Sequence, residues 1–167
     1  QYRVTVNGTG GCAGGINSNA VTLTINAATA IATQPVSAFV CTGGNADLCV
    51  TATGNNLSYQ WQVGTAGCSG SFTDIPGASN ACYQITNATG AMNNLAYRVN
   101  VTGACAPVVT SNCVVLTVNS APVINTNPAN SNVCAGANTS FTSAATGTNL
   151  SYNWQVSTDA GVTWNNL

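Results

Sequence analysis

Much of this chain is written twice. SYQWQV, carrying Trp61, returns as SYNWQV, carrying Trp154, at a spacing of 93 residues (154 − 61 = 93). VCTGG with Cys41 returns as VCAGA with Cys134, and SNAVTLTIN (Ser18 to Asn26) returns as SNCVVLTVN (Ser111 to Asn119), both at the same spacing. YRVTVNG (Tyr2 to Gly8) returns as YRVNVTG (Tyr97 to Gly103) at 97 − 2 = 95, because the first copy has two more residues before its cysteine. A chain with such a period builds one unit repeatedly and stacks the copies. Here the copies are out of phase with the chain. Residues 1–27 read as the end of one unit, 28–119 as a complete unit, and 120–167 as the beginning of a third. The junctions, Asn26-Ala-Ala and Asn119-Ser-Ala-Pro122, are short and contain no flexible Gly/Ser linker. Neighbouring units are therefore expected to stack with restricted bending.

Within the complete unit the apolar residues alternate with period 2, the signature of half-buried strands. Leu48, Val50 and Ala52 fall on one face; so do Tyr59, Trp61 and Val63, then Tyr97, Val99 and Val101, then Val114, Leu116 and Val118. Thr42-Gly-Gly-Asn45, Gly54-Asn-Asn56 and Pro76-Gly77 punctuate the runs as turns. No segment has a helical period. About seven short strands per repeat is the rhythm of an immunoglobulin-like sandwich, so the expected fold is all-β, a tandem of such sandwiches. Trp61 falls where these sandwiches bury a tryptophan on the third strand, and Tyr97 where a tyrosine starts the sixth. The two cysteines that join the sheets of an antibody domain are replaced by apolar residues near Val50 and Val99.

Composition removes most chemistry. Charged residues are 3% of the chain, against roughly 25% in ordinary soluble domains. The cations are Arg3 and Arg98, the acids Asp47, Asp74 and Asp159, and there is no Lys, Glu or His. Two scattered arginines cannot neutralise a run of phosphates or dock on an anionic membrane, so neither nucleic acid nor a membrane is an expected partner. No apolar run approaches the roughly 20 residues of a membrane span. No leader peptide is expected either, since strand-like alternation begins at once. Without His there is no ordinary base for a Ser or Cys nucleophile. The three acids lie in unrelated segments, which disfavours paired-carboxylate catalysis and calcium binding. No enzyme activity, metal or cofactor is expected. Asp159, in a Thr-Asp-Ala-Gly turn, reads as a turn-stabilising side chain.

Eight cysteines point to an oxidising compartment. Zinc would want closer pairs together with His. Asn-x-Ser/Thr triplets at Asn7, Asn56, Asn87, Asn100, Asn138 and Asn149 are acceptors if the producer glycosylates asparagine. For sugar stacking the candidates are Trp164 and Phe72, since Trp61 and Trp154 read as core; edge packing is the blander role for both.

The strings QPVSAFVCTGG, YQWQV, YRVNVTGAC and SNCVVLTVN resemble the Ig-like repeats of giant surface adhesins of Bacteroidota, and VSTDAGVTW (Val156 to Trp164) matches the stretch after their core tryptophan. The resemblance covers the whole chain; Cys49, Cys68, Cys82 and Cys113 depart from the family's pattern. It implies secretion, attachment at the cell surface or outside it, and a part in adhesion or filament building. The leading expectation is a non-catalytic structural segment whose partners are neighbouring repeats or identical subunits. The alternatives are a module that grips surface glycans itself, or an accessory repeat of a secreted enzyme.

Cys41 and Cys105 belong to the repeat, with Cys134 and Cys12 in the equivalent places, whereas Cys49 and Cys113, and Cys68 and Cys82, are extras. Extras gained in couples suggest the pairings 41–105, 49–113 and 68–82. Cys12 and Cys134 then find partners beyond these residues or in a neighbouring chain. One difficulty is visible in advance: the A–B and F–G loops of a sandwich lie at opposite ends. If that topology holds, Cys41 and Cys105 reach the next and previous units instead. The half-units at each end cannot bury their apolar faces alone. Either the polypeptide continues, or the first hairpin of one subunit inserts into the last half-sandwich of another. Joining Leu167 to Gln1 omits the equivalent of Pro76 to Ala96, fifth strand included, so continuation is the expectation.

Overall fold

Period-2 alternation becomes a run of short strands. The computed structural model describes residues 1–11, 14–65 and 67–167. In chain order the strands are β1 (Thr5–Asn7), β2 (Gly15–Asn17), β3 (Ala30–Thr33), β4 (Ala38–Cys41), β5 (Ala46–Cys49), β6 (Thr51–Thr53), β7 (Ser58–Gly64) and β8 (Phe72–Asp74). They continue as β9 (Cys82–Ile85), β10 (Ala96–Thr102), β11 (Val109–Thr110), β12 (Val114–Asn119), β13 (Val123–Thr126), β14 (Ala144–Thr146), β15 (Gln155–Val156) and β16 (Asn165–Asn166). A 3-10 turn, Gly90–Met92, leads into β10.

Strands β3 to β12 close on one core. One sheet runs β4-β12-β10-β7-β8, with β11 also on β10; opposite it β3 pairs β6 and β5 pairs β9. β5 and β6 are one run interrupted at Val50, whose N–H turns to the Ala81 carbonyl. Between β3 and β4 lies buried Pro35, which has no N–H for a ladder. There the first strand changes sheets: β3 pairs β6, and β4 lies parallel to β12, with Cys41 opposite Asn119. This strand order is that of an immunoglobulin-like β-sandwich. Among the described residues no strand separates β8 from β9, where Ile75 to Ala81 fold back on β7 through hydrogen bonds to and from Trp61.

The core is the set that alternation marks, joined by Ile85 of β9. Leu48, Val50, Trp61, Ile85, Tyr97, Val99, Val101, Val114, Leu116 and Val118 are buried, with Ala52, Tyr59 and Val63 packed at its margin. Val50 and Val99 occupy the places of the antibody cysteines and fill them with apolar volume. Trp61 is wholly buried, its indole N–H donating to the Asn80 carbonyl at 2.9 Å and its ring 6.2 Å from Tyr83. Burial, then neighbouring Tyr83, raises the Tyr97 hydroxyl above the usual tyrosine range.

The flanking segments copy parts of this sandwich. β1 and β2 set Val6 opposite Ile16, with Tyr2 opposite Val21; β10 sets Val101 opposite Val109 and Tyr97 opposite Val114. β13 and β14 repeat β3 and β6 residue for residue, including the bulge: Ile124 opposite Ala145 and Thr126 opposite Ala144 match Ile31 opposite Ala52 and Thr33 opposite Thr51. Their apolar faces, however, are open. Tyr2, Val4 and Val6 are 63%, 58% and 64% exposed, whereas Tyr97, Val99 and Val101 are 4%, 0% and 0% exposed. Ile124, Ala145, Leu150, Tyr152 and Trp154 line an open cleft of about 330 Å³. Among the described residues no helix is long and apolar enough to cross a membrane.

Candidate functional site

The chemistry of this chain lies at its junctions and its cysteines. At the first junction the Ala27 N–H donates to the Asn55 side-chain oxygen at 2.8 Å, tying the linker to the loop between β6 and β7. Gly54 beside it has φ +138°, and a β-carbon there would stand 3.2 Å from the Thr29 α-carbon. At the second junction the Ser120 N–H donates to the Thr148 hydroxyl at 2.9 Å, and the Thr148 N–H returns a bond to the Ser120 carbonyl at 3.1 Å. Gly147 has φ +151°, with its would-be β-carbon 3.0 Å from the Pro122 α-carbon. Only glycine lets the loop lie this close to the linker. Ala27 and Ser120, Gly54 and Gly147, and Asn55 and Thr148 are all one repeat apart (120 − 27 = 93). The sequence reading took Gly54-Asn-Asn56 as a turn and missed its second role. The recurrence of a Gly-polar pair one repeat later was the available signal.

The cysteine pairing differs from the expected one. The bonds are Cys49–Cys82 and Cys68–Cys113, not 49–113 and 68–82, and Cys41 and Cys105 are not joined. Strand register is the reason. β5 and β9 are antiparallel neighbours, and Cys49 and Cys82 are direct partners in that ladder, their Cα atoms 4.1 Å apart. Cys68, in the β7–β8 loop, reaches past β10 to Cys113 at the start of β12. Cys41 ends β4 beside Asn119, while Cys105 lies at the opposite end of the sandwich, its carbonyl accepting from the Thr29 hydroxyl at 3.2 Å. Cys134 is exposed and unpaired, and Cys12 lies outside the described residues.

The acids are scattered. Asp47 is exposed on β5; Asp74 accepts from the Gln62 amide at 2.7 Å. Among the described residues no group of three or more His, Cys, Asp or Glu could hold a metal ion. Asp159 caps its own turn. The Thr163 hydroxyl and N–H, the Ser157 hydroxyl and the Val162 N–H all converge on its carboxyl and hold its pKa at about 2. A depressed acid stabilises its turn above the unfolded value of about 3.9 and loses that effect as pH falls through the folded value. The Asp159 carboxyl carbon should therefore titrate by NMR with a midpoint near 2, with residues 157–163 unchanged at pH 4. A midpoint near 4 would contradict the four-bond cap.

Of the sugar-stacking candidates, Phe72 is half-buried under the Arg98 guanidinium, 4.1 Å above its ring, and Arg98 is held by Gln62 at 2.7 Å. Trp164 is exposed. Among the asparagines of the triplets, Asn7, Asn56, Asn87, Asn138 and Asn149 are exposed, and Asn100 accepts from the Thr110 hydroxyl at 2.8 Å.

No curated protein matches the chain in sequence. Among solved structures it is similar to Sidekick-1 immunoglobulin domains 1–5 (18% identity, 64% of this chain, 22% of that one, TM-score 0.47). It is also similar to an I-band fragment of titin (15%, 60% and 36%, TM-score 0.47) and to Drosophila OTK extracellular domains 3–5 (18%, 72% and 40%, TM-score 0.47). The chain spans less than two thirds of the length of each of these three. The strand order and core described above, rather than these likenesses, make it an immunoglobulin-like sandwich. A protein family does match, over residues 30–120 and thus more than half of the chain, and the chain belongs to that family, whose description is "Domain of unknown function (DUF8696)".

Proposed function

We propose that this chain is a structural segment of an extracellular bacterial adhesin or filament, in which sandwich units stack end to end to form a stalk or fibre. The observation that carries the reading is the repeated junction: Ala27 on Asn55 and Ser120 on Thr148, each with a glycine pressed against the linker. A linker held by the next unit's loop fixes the angle between units, which a spacer needs and a flexible tether does not. In this reading 1–27 closes one unit, 28–119 is a second and 120–167 opens a third. The open apolar faces of the first and third are covered by the remainder of their own units. Disulfides, the near absence of charge and the resemblance to Bacteroidota surface repeats all agree with a place outside the cell, where exposed asparagines such as Asn56 and Asn87 are open to glycosylation.

Electron microscopy of the native protein tests this. A straight array with an axial period of roughly 30–40 Å per unit, the size of a compact domain of this length, is expected. Beads on a flexible string, or isolated globules, would refute stacking. Specific capture by a glycan array, without any array of units, would favour the glycan-gripping alternative.

A further inference from the structure

Two cysteines of the complete unit, Cys41 and Cys105, are left over by the sandwich's own bonds, and both sit at junctions. Cys105 Sγ lies 3.6 Å from the carbonyl oxygen of Asn26, the last residue before the first junction. Asn119 is the same repeat position at the second junction (119 − 26 = 93). There Cys41 is its direct partner in the parallel β4–β12 pair, and the Thr42 N–H donates to its carbonyl at 2.8 Å. Superposing the junctions thus puts an F–G-loop cysteine of one unit (the loop after β10, Cys105 here) and an A–B-loop cysteine of the unit before it (the β4–β5 loop, Cys41 here) against the same asparagine. Backbones paired as β4 and β12 are lie about 4.8 Å apart, and a disulfide joins Cα atoms roughly 4.4–6.8 Å apart. Cys134 opens the same turn as Cys41: in each, the cysteine carbonyl accepts from the residue three further on, Gly44 at 2.8 Å and Ala137 at 3.0 Å. Cys41 and Cys134 are exposed, so neither thiol is committed to a core.

We infer that these cysteines form a rivet at every junction, a disulfide from the A–B loop of each unit to the F–G loop of the unit that follows. The inference rests on the stacking reading above. Cys41 bonds to the F–G cysteine of the third unit, and Cys105 to the A–B cysteine of the first. Each bond forms when two thiols give up two protons and two electrons to a disulfide-bearing thiol oxidant, which leaves as its dithiol. The following unit is supplied either by further residues of the same polypeptide or by another copy. In the second case the bonds are Cys41 to Cys12 and Cys134 to Cys105 of different chains.

The test is peptide mapping without reduction, on native full-length protein isolated with free thiols blocked. The expected result is loss of thiol labelling at Cys41 and Cys105, regained on reduction, with each peptide linked to a loop peptide of the opposite kind. Electrophoresis without reductant separates the sources, since a ladder of covalent multimers means another copy and a single band means one polypeptide. Free thiols at Cys41 and Cys105, or a 41–105 or 41–134 linkage, would overturn the rivet. Electron microscopy of the same sample keeps the two claims apart. A straight array with free thiols fails the rivet alone, whereas no array fails the stacking as well.

Discussion

Replacing Trp61 with alanine is expected to lower the stability of the central sandwich by roughly 3–5 kcal/mol, the usual cost of removing a fully buried large aromatic. Small domains hold only about 5–15 kcal/mol in total, so this one change consumes much of the margin. The side chain is wholly buried between β7 and the facing strands, contacts Tyr83, and satisfies the Asn80 carbonyl through its indole N–H. Denaturant unfolding with disulfides intact, followed by near-ultraviolet circular dichroism, measures the loss. Trp61→Phe, which keeps an aromatic ring but drops the hydrogen bond, should lose distinctly less. A cost below about 1 kcal/mol for Trp61→Ala would be incompatible with this core. Trp154 offers an internal control, being the same repeat position but 40% exposed in this structure. Trp154→Ala should leave the unfolding of residues 28–119 unchanged.

Removing the disulfides should be nearly as damaging. Cys49–Cys82 and Cys68–Cys113 close sequence separations of 33 and 45 residues. Loop-closure entropy assigns each about 4 kcal/mol, within the observed range of roughly 2–5 kcal/mol for native bridges of small secreted domains. Paired replacements, Cys49→Ser with Cys82→Ser and Cys68→Ser with Cys113→Ser, should each lower the unfolding midpoint by a large step. The two bridges interlace along the chain (49, 68, 82, 113), so their joint removal should cost less than the sum. Fragments linking 49 to 113 or 68 to 82 in an unreduced digest would contradict the register of β5 and β9.

The fold was legible because period 2 is a local signal and the repeat wrote it twice. Trp61, Val99 and Leu116 are marked as inward by their neighbours alone, and each is fully buried. What sequence did not reveal is set by pairings between distant segments. Cys49 and Cys82 meet because Ala46 lies opposite Ile85 and the ladder runs from there, and no count of residues between cysteines carries that register. The parallel contact of β4 with β12 was equally hidden, since four residues after a proline do not reveal which sheet they join. The doubt raised from topology proved sounder than the pairing of Cys41 with Cys105, because loops at opposite ends of a sandwich cannot be bridged through it. The junction glycines were in plain view as turn residues, but only the chain's return onto its own linker shows what Gly54 and Gly147 exclude.

The interlaced bridges also decide what a unit can do under tension. With β4 and β12 parallel neighbours, force applied at the two junctions shears their hydrogen bonds side by side rather than peeling them one at a time. Should the sandwich give way, the shortest covalent path from Cys49 to Cys113 does not follow the 64 intervening steps of the backbone (113 − 49). It crosses to Cys82, returns 14 residues to Cys68 (82 − 68) and crosses again. Fifty steps of chain (64 − 14) are therefore withheld, about 170 Å at roughly 3.4 Å per extended residue. A ruptured unit lengthens by a short, fixed stroke and keeps the stretch from Cys49 to Cys113, most of its length, as a covalent stop.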